Sequence, residues 1–163
     1  LLLPWLSVLD NSLLGFRLRG ERVGAALKNK AKKLLEKTGL ENAIHYRPQK
    51  LSGGMRQRVA LVRTLLEDRP VVLMDEPFSA LDAVTRLQLQ NVAVSLLADK
   101  TVLFVTHDPL EALRLGDAVF VLQGSPAFFS APICPNGSAP RNPADPGLLR
   151  EQAMLLNKLA EGV

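Results

Sequence analysis

The sequence predicts an α/β protein, with parallel strands and flanking helices following a helical segment. Val71 to Met74 and Thr101 to Thr106 are short continuous apolar runs, the pattern of strands covered on both faces. Between them, Asp82 to Ala98 places Leu89, Val92, Ala93, Leu96 and Leu97 at helical spacing. Strand, helix and strand in that order make a βαβ unit, and such units build parallel sheets. A length of 163 residues with 47% apolar and 22% charged side chains is ordinary for one globular domain.

Taken in order, Leu1 to Leu14 reads as a loop and short turn, with Asp10-Asn11-Ser12 as a capping cluster. From Glu21 to Lys37, Val23, Leu27, Ala31, Leu34 and Leu35 share one helical stripe, and Gly39 is placed to end that helix. Glu41 to Lys50 is a connector. Ser52 stands as the N-cap of a helix to about Glu67 that buries Met55, Val59, Val62 and Leu66. Arg69-Pro70 breaks it before the first strand. After the second strand come a short helix at Pro109 to Leu115 and a third strand at Ala118 to Leu122. Gly124 to Gly147, with six prolines, reads as irregular, and Leu148 to Ala160 as a last helix.

The net charge of +4 is mild. Its basic run, from Arg17 to Lys37, has no interleaved aromatic platform, so it reads as a solvated helix face and no nucleic-acid partner is expected. Cys134 is alone, which excludes an internal disulfide and a CxxC motif. No apolar run approaches the ~20 residues of a membrane span. Leu1 to Leu9 is interrupted by Pro4 and lacks a basic leader, unlike a signal peptide. The chain opens on Leu and its first methionine is Met55, so it is expected to be an internal or C-terminal piece of a longer protein.

The chemistry concentrates in a few places. Amides at a helix N-terminus are unpaired and attract phosphate; Gly53 and Gly54 let it approach the backbone, and Ser52 adds a hydroxyl. Alone, Ser-Gly-Gly is far more often a plain cap after a flexible turn. Asp75 and Glu76 stand at the C-terminal end of the first strand, where α/β sheets place ligands. Consecutive strand residues point to opposite sides, so one carboxylate can hold Mg²⁺ through water while the other polarises an attacking water. His107 follows the second strand and can bond a phosphate oxygen or orient that water, although a lone His beside Asp108-Pro109 is also an ordinary turn residue. Ser79-Ala80-Leu81-Asp82 reads as a helix cap.

In order and spacing these four features resemble the ATP-binding cassette (ABC) family over Leu1 to about Leu122. Leu51 to Arg58 resembles its signature motif, Val71 to Glu76 its Walker B strand, Ser79 to Asp82 its D-loop and His107 its switch histidine. The resemblance implies a partial P-loop NTPase (ABC-type) fold with a helical subdomain at 1–67, the C-terminal part of a RecA-like ATPase core at 68–123, and an irregular tail with a terminal helix at 124–163. It implies ATP and Mg²⁺ as cofactors, with Asp75 positioning the metal, Glu76 as catalytic base and His107 as γ-phosphate switch. Ser52, Gly53, Gly54 and Met55 would face the ATP of an opposing subunit, and Asp82 would lie across that interface. Met55 stands where the family often has Gln, and a thioether is a weak acceptor for a ribose contact.

No G-x-x-x-x-G-K-[ST] P-loop occurs in the 163 residues. Gly15 to Gly20 has the glycine spacing, but Glu21 stands where lysine is required. The expectation is an ABC-type ATPase by family whose chain alone is inactive, beginning just after a Q-loop. Val71 to Met74 would then have an unpaired side and an aggregation risk.

Leu2 to Trp5, Leu51 to Arg58, Asp75 to Asp82 and Thr106 to Ala112 look like bacterial importers of the nitrate, sulfonate and taurine group. Ala83 to Leu89 and Asp108 to Gly116 are similar to subunits for the thiamine precursor hydroxymethylpyrimidine. This implies a peripheral subunit on the cytoplasmic face of the inner membrane. Its partners would be a second ATP-binding subunit, a membrane permease docked near Leu3 to Phe16 and, indirectly, an extracytoplasmic substrate-binding protein. The alternatives are a non-transport ABC ATPase, which would usually carry an insertion absent between Gly39 and Leu51, or a truncated non-catalytic fragment.

Overall fold

The computed structural model describes residues 2–161. The outermost positions of the segments 1–67 and 124–163, at 1, 162 and 163, lie outside the described residues. The chain divides into two compact units, Leu1–Val72 with Pro77–Val102 and Leu73–Glu76 with Leu103–Val163.

Unit one is helical. α1 (Val8–Ser12) is capped by Ser7, whose Oγ accepts the Asp10 N–H, so Asp10, Asn11 and Ser12 form the helix they were expected to cap. Asn11 is fully buried and satisfies its amide locally: Nδ2 donates to the Leu3, Leu6 and Ser7 carbonyls, and Oδ1 accepts the Leu3 N–H. α2 (Leu14–Leu18) follows. It contains Gly15, whose missing Cβ would meet the Glu67 carboxylate, while Gly20 (φ +71°) lies past the helix end with nothing near it, so the P-loop-like spacing joins a packing position to a turn. α3 (Ala25–Lys37) starts four residues later than the apolar stripe suggests, after the N-cap Gly24. It ends at Gly39 (φ +65°), with Gly39 N–H donating to the Glu36 carbonyl and Leu40 N–H to the Leu35 carbonyl. Its lysines are exposed while Ala31, Leu34 and Leu35 are buried, so the basic run is a solvated face.

α4 (Gly53–Leu66) starts at Ser52, whose Oγ accepts the Met55 N–H at 3.2 Å. It buries Val59, Leu61, Val62, Leu65 and Leu66, whereas Met55, expected in the core, is half-buried. The first turn lies on the open side of the helix, so its side chains have fewer neighbours. α1, α3 and α4 pack on one another around Val8, Leu35, Val59 and Val62.

β1 (Val71–Asp75), α5 (Ala83–Leu97) and β2 (Thr101–Val105) follow as the sequence predicts. β1 and β2 are paired, and Thr101 N–H to Pro70 carbonyl with Glu76 N–H to Val105 carbonyl fixes them parallel. Coverage of both faces is not found. Val72 and Met74 are buried, but Val71 and Leu73 are 56% and 71% exposed, and β2 exposes Leu103 and Val105. Among the described residues this sheet has two strands, so nothing covers the second face. α5 buries Leu89, Gln90 and Ala93, leaving the expected Val92, Leu96 and Leu97 only partly covered.

In unit two, α6 (Pro109–Leu115) has the expected bounds, capped by Asp108, which accepts the Leu110 and Glu111 N–H groups. The expected third strand at 118–122 is instead a bridge between Val119 and Ile133 and a two-residue β3 (Leu122–Gln123) antiparallel to β4 (Phe128–Phe129). Gly124 (φ +82°) reverses the chain between them, which a parallel crossover could not do so briefly. α7 (Pro146–Glu161) is longer than expected and packs on α6 over Leu113, Val119, Val121, Leu148 and Leu155.

The proline-rich segment before α7 is irregular but anchored by Arg141. Its buried guanidinium uses five donors: Nε to the Asn136 carbonyl, Nη1 to Leu113 and Gly116, and Nη2 to Pro135 and Gly137.

Candidate functional site

The residues singled out from sequence fall into two groups. Ser52, Gly53, Gly54, Met55 and Asp82 lie in unit one, and Asp75, Glu76 and His107 in unit two.

The first group is built on two helix starts. Ser52 and Asp82 are both N-caps with extended backbone, each accepting an amide from three residues on, Met55 and Thr85. The Thr85 N–H holds the Asp82 carboxyl below the usual carboxylate range. A Cβ at Gly53 would meet nothing within 4 Å, so the start of α4 is open to a ligand at that point. A Cβ at Gly54 would lie 3.1 Å from the Ala80 carbonyl oxygen and 3.5 Å from Leu81 Cδ2. Gly54 therefore serves close packing of the 79–82 loop on the helix start. Gln57 adds to that contact: its Oε1 accepts the Ala80 N–H at 2.8 Å and its Nε2 donates to Ser79 Oγ at 3.2 Å. Phe78 and Leu81, both buried, anchor the two sides of the same loop. Sequence reasoning missed Gln57, because a polar residue off the apolar stripe of a helix looks like any solvent-facing one.

In the second group, β1 ends at Asp75, whose side is exposed, and Glu76 follows with φ +47°, an uncommon conformation for a non-glycine residue. Glu76 N–H donates to the Val105 carbonyl at 2.9 Å. Its Oε1 accepts the His107 main-chain N–H at 2.8 Å and lies 2.6 Å from His107 Nδ1. The carboxylate raises the His107 pKa above its ordinary value, through the hydrogen bond first and charge second. The imidazole is 79% exposed and presents its other nitrogen to solvent. Thr106 completes the strand end by donating from Oγ1 to Glu111 Oε2 and accepting the Asp108 N–H. Neither contact is visible in sequence, since both join a strand end to the helix after it.

A parallel strand pair ends in adjacent carboxylates and a histidine in one unit, and a glycine-opened helix start lies beside a capped loop in the other, the features on which the resemblance to the ABC family rests. The comparisons agree. Residues 1–79 match the ABC transporter family. An uncharacterised ABC transporter ATP-binding protein of Haemophilus influenzae is 49% identical over 161 residues, which is 97% of this chain and 67% of that protein. The aliphatic sulfonates import ATP-binding protein SsuB of Delftia acidovorans is 40% identical over 160 residues, 97% of this chain and 63% of its own length. The solved dimeric bacterial ABC transporter cassette MJ0796 superposes with a TM-score of 0.65 at 34% identity, over 73% of this chain and 53% of that one. The chain belongs to the ABC transporter ATP-binding protein family, and it spans between about half and two thirds of the length of these relatives. No described helix is long and apolar enough to cross a membrane.

Proposed function

We propose that the chain is the C-terminal portion of the ATP-binding subunit of a bacterial importer, in which ATP hydrolysis drives uptake of a small solute. The likeness to SsuB favours the nitrate, sulfonate and taurine group, and the hydroxymethylpyrimidine resemblance is a narrower reading of the same kind. The functional division 1–67, 68–123 and 124–163 goes with it. The observation that carries the reading is the open start of α4 at Gly53, held by Gly54 against the loop leading to Asp82.

In this reading the partner is a second cassette. Ser52 and the first amides of α4 bind the phosphates of ATP gripped by that cassette, where unpaired N–H groups and the helix dipole favour negative charge. Likeness to a cassette solved as a dimer, and in another state with ADP and Pi bound, supports such pairing. Asp75 offers one exposed carboxylate at the end of β1. That donor set suits Mg²⁺, which keeps waters and takes one or two carboxylates together with substrate phosphates. Asp75 would hold it, and the ion would neutralise phosphate charge when bound. Glu76, fixed by His107, accepts a proton from the attacking water, and His107 donates toward a γ-phosphate oxygen. A permease moved by cassette closure, contacted near Leu3 to Phe16, and a peripheral place on the cytoplasmic face of the membrane complete the proposal.

Equilibrium binding of a fluorescent ATP analogue tests it. The chain alone should show no saturable binding, and adding a complete cassette should produce a mixed complex that does. Saturable binding by the chain alone, or no mixed complex at any nucleotide concentration, would contradict the reading.

A further inference from the structure

We propose that Gln57 is a positioning residue that clamps the Ser79–Asp82 loop to the start of α4, so that Ser52 and Asp82 meet a partner cassette as one preset surface. The geometry is local to unit one. Gln57 lies one helical turn beyond Gly53 on α4 and spends both ends of its amide on the loop, Oε1 on Ala80 N–H and Nε2 on Ser79 Oγ. Gly54 removes the side chain that would hold the loop away, since its Cβ would crowd the Ala80 carbonyl at 3.1 Å. Phe78 and Leu81 pin the loop into the core on either side of Ser79 and Ala80. Between these anchors the amide of Gln57 fixes the two residues that core packing leaves exposed.

Ser52 caps α4 and Asp82 caps α5, so both sit where a helix begins and neither is adjustable alone. A displacement of the α4 start, such as closure on phosphate would impose, moves the 79–82 loop with it through Gln57. Without Gln57 the two ends respond separately, and assembly of the shared site requires the loop to be ordered anew. A residue of this kind changes the rate of turnover more than the binding of nucleotide.

This inference rests on the proposed cassette pairing, and its test has one arm independent of that pairing. In the chain as it stands, amide hydrogen exchange at Ala80 should quicken about fivefold in Gln57→Ala, the factor expected for one ordinary hydrogen bond. Gln57→Glu keeps an acceptor for that amide and should stay within about twofold of the native rate. Exchange across Val59 to Leu66 should be unchanged in both, which establishes that the helix is folded. In the second arm the chain is mixed with a complete cassette whose own signature serine has been replaced, so that turnover needs Ser52 of this chain. Gln57→Ala should then lower kcat about tenfold with KM for ATP within twofold, and Gln57→Glu should restore most of the loss. An Ala80 amide that exchanges no faster in Gln57→Ala overturns the clamp whatever the enzyme does. A loosened loop with native kcat overturns its functional role. Absence of turnover with the native chain would instead be a failure of the pairing itself.

Discussion

Glu76 and His107 form the contact in which residue chemistry is most exposed to test. His107 gains a carboxylate partner on folding, so its folded pKa lies above the unfolded value of about 6.5. The stabilisation it brings is therefore complete below that unfolded value and is lost as the pH rises through the raised folded one. An NMR titration of the imidazole should give a midpoint above that of an ordinary histidine, and Glu76→Gln should bring it back down. A midpoint unchanged by Glu76→Gln would show that the carboxylate is not the cause. In a complete version of this polypeptide the same substitution should cost about 10²–10⁴ in ATP turnover, as removal of a general base typically does. These residue types at a strand end were legible from the chain. Their 2.6 Å pairing was not, because it depends on the register of β1 against β2 and on a positive φ at Glu76. Gln57 is a second case: no periodicity marks a polar side chain that reaches a loop 23 residues away.

Helices with clear punctuation were read well, and β1 and β2 were placed along the chain, but how those strands are covered was not read, nor the antiparallel pairing that replaces the third. Pro109 and Gly116 bracket α6, Ser52 and Asp82 start α4 and α5, and Gly39 stops α3, because caps and breakers act locally. Whether an apolar run is covered on one face or two depends on distant chain, so β1 and β2 looked alike to a fully buried strand yet expose Val71, Leu73, Leu103 and Val105. Replacing Leu73 and Leu103 with threonine should reduce concentration-dependent association in size-exclusion chromatography and leave the denaturation midpoint within experimental error. Greater association, or a clearly lower midpoint, would mean that these side chains pack after all. The segment before α7 teaches the same lesson in reverse. Its prolines suggested irregularity, and it is irregular, but Arg141 gathers three of its own carbonyls, those of Pro135, Asn136 and Gly137, and ties them to two at the end of α6, those of Leu113 and Gly116. Arg141→Ala removes a buried donor set and leaves those acceptors unsatisfied, so it should cost roughly 3 kcal/mol or more in chemical denaturation. Arg141→Lys should recover only part, since an ammonium cannot reach five carbonyls in a plane.

At the scale of the whole molecule, fold class and family were readable because four motifs keep their order and spacing along the chain, and 49% identity to an ABC transporter ATP-binding protein bears that out. A site proposed to be built by two chains is not one that a single chain can display. Ser52 is exposed and Gly53 faces open space on unit one, and the 163 residues contain no phosphate-gripping P-loop of their own. The central claim is that this open helix start completes a nucleotide site on a second cassette. Steady-state ATP turnover of a complete cassette with a disabled signature serine, titrated with this chain, tests it most directly. Turnover should rise with added native chain to a plateau, and Ser52→Ala should cut that plateau at least tenfold while costing the chain only about 1 kcal/mol of stability. A plateau equally high with Ser52→Ala, in a chain shown to be folded, would contradict the account.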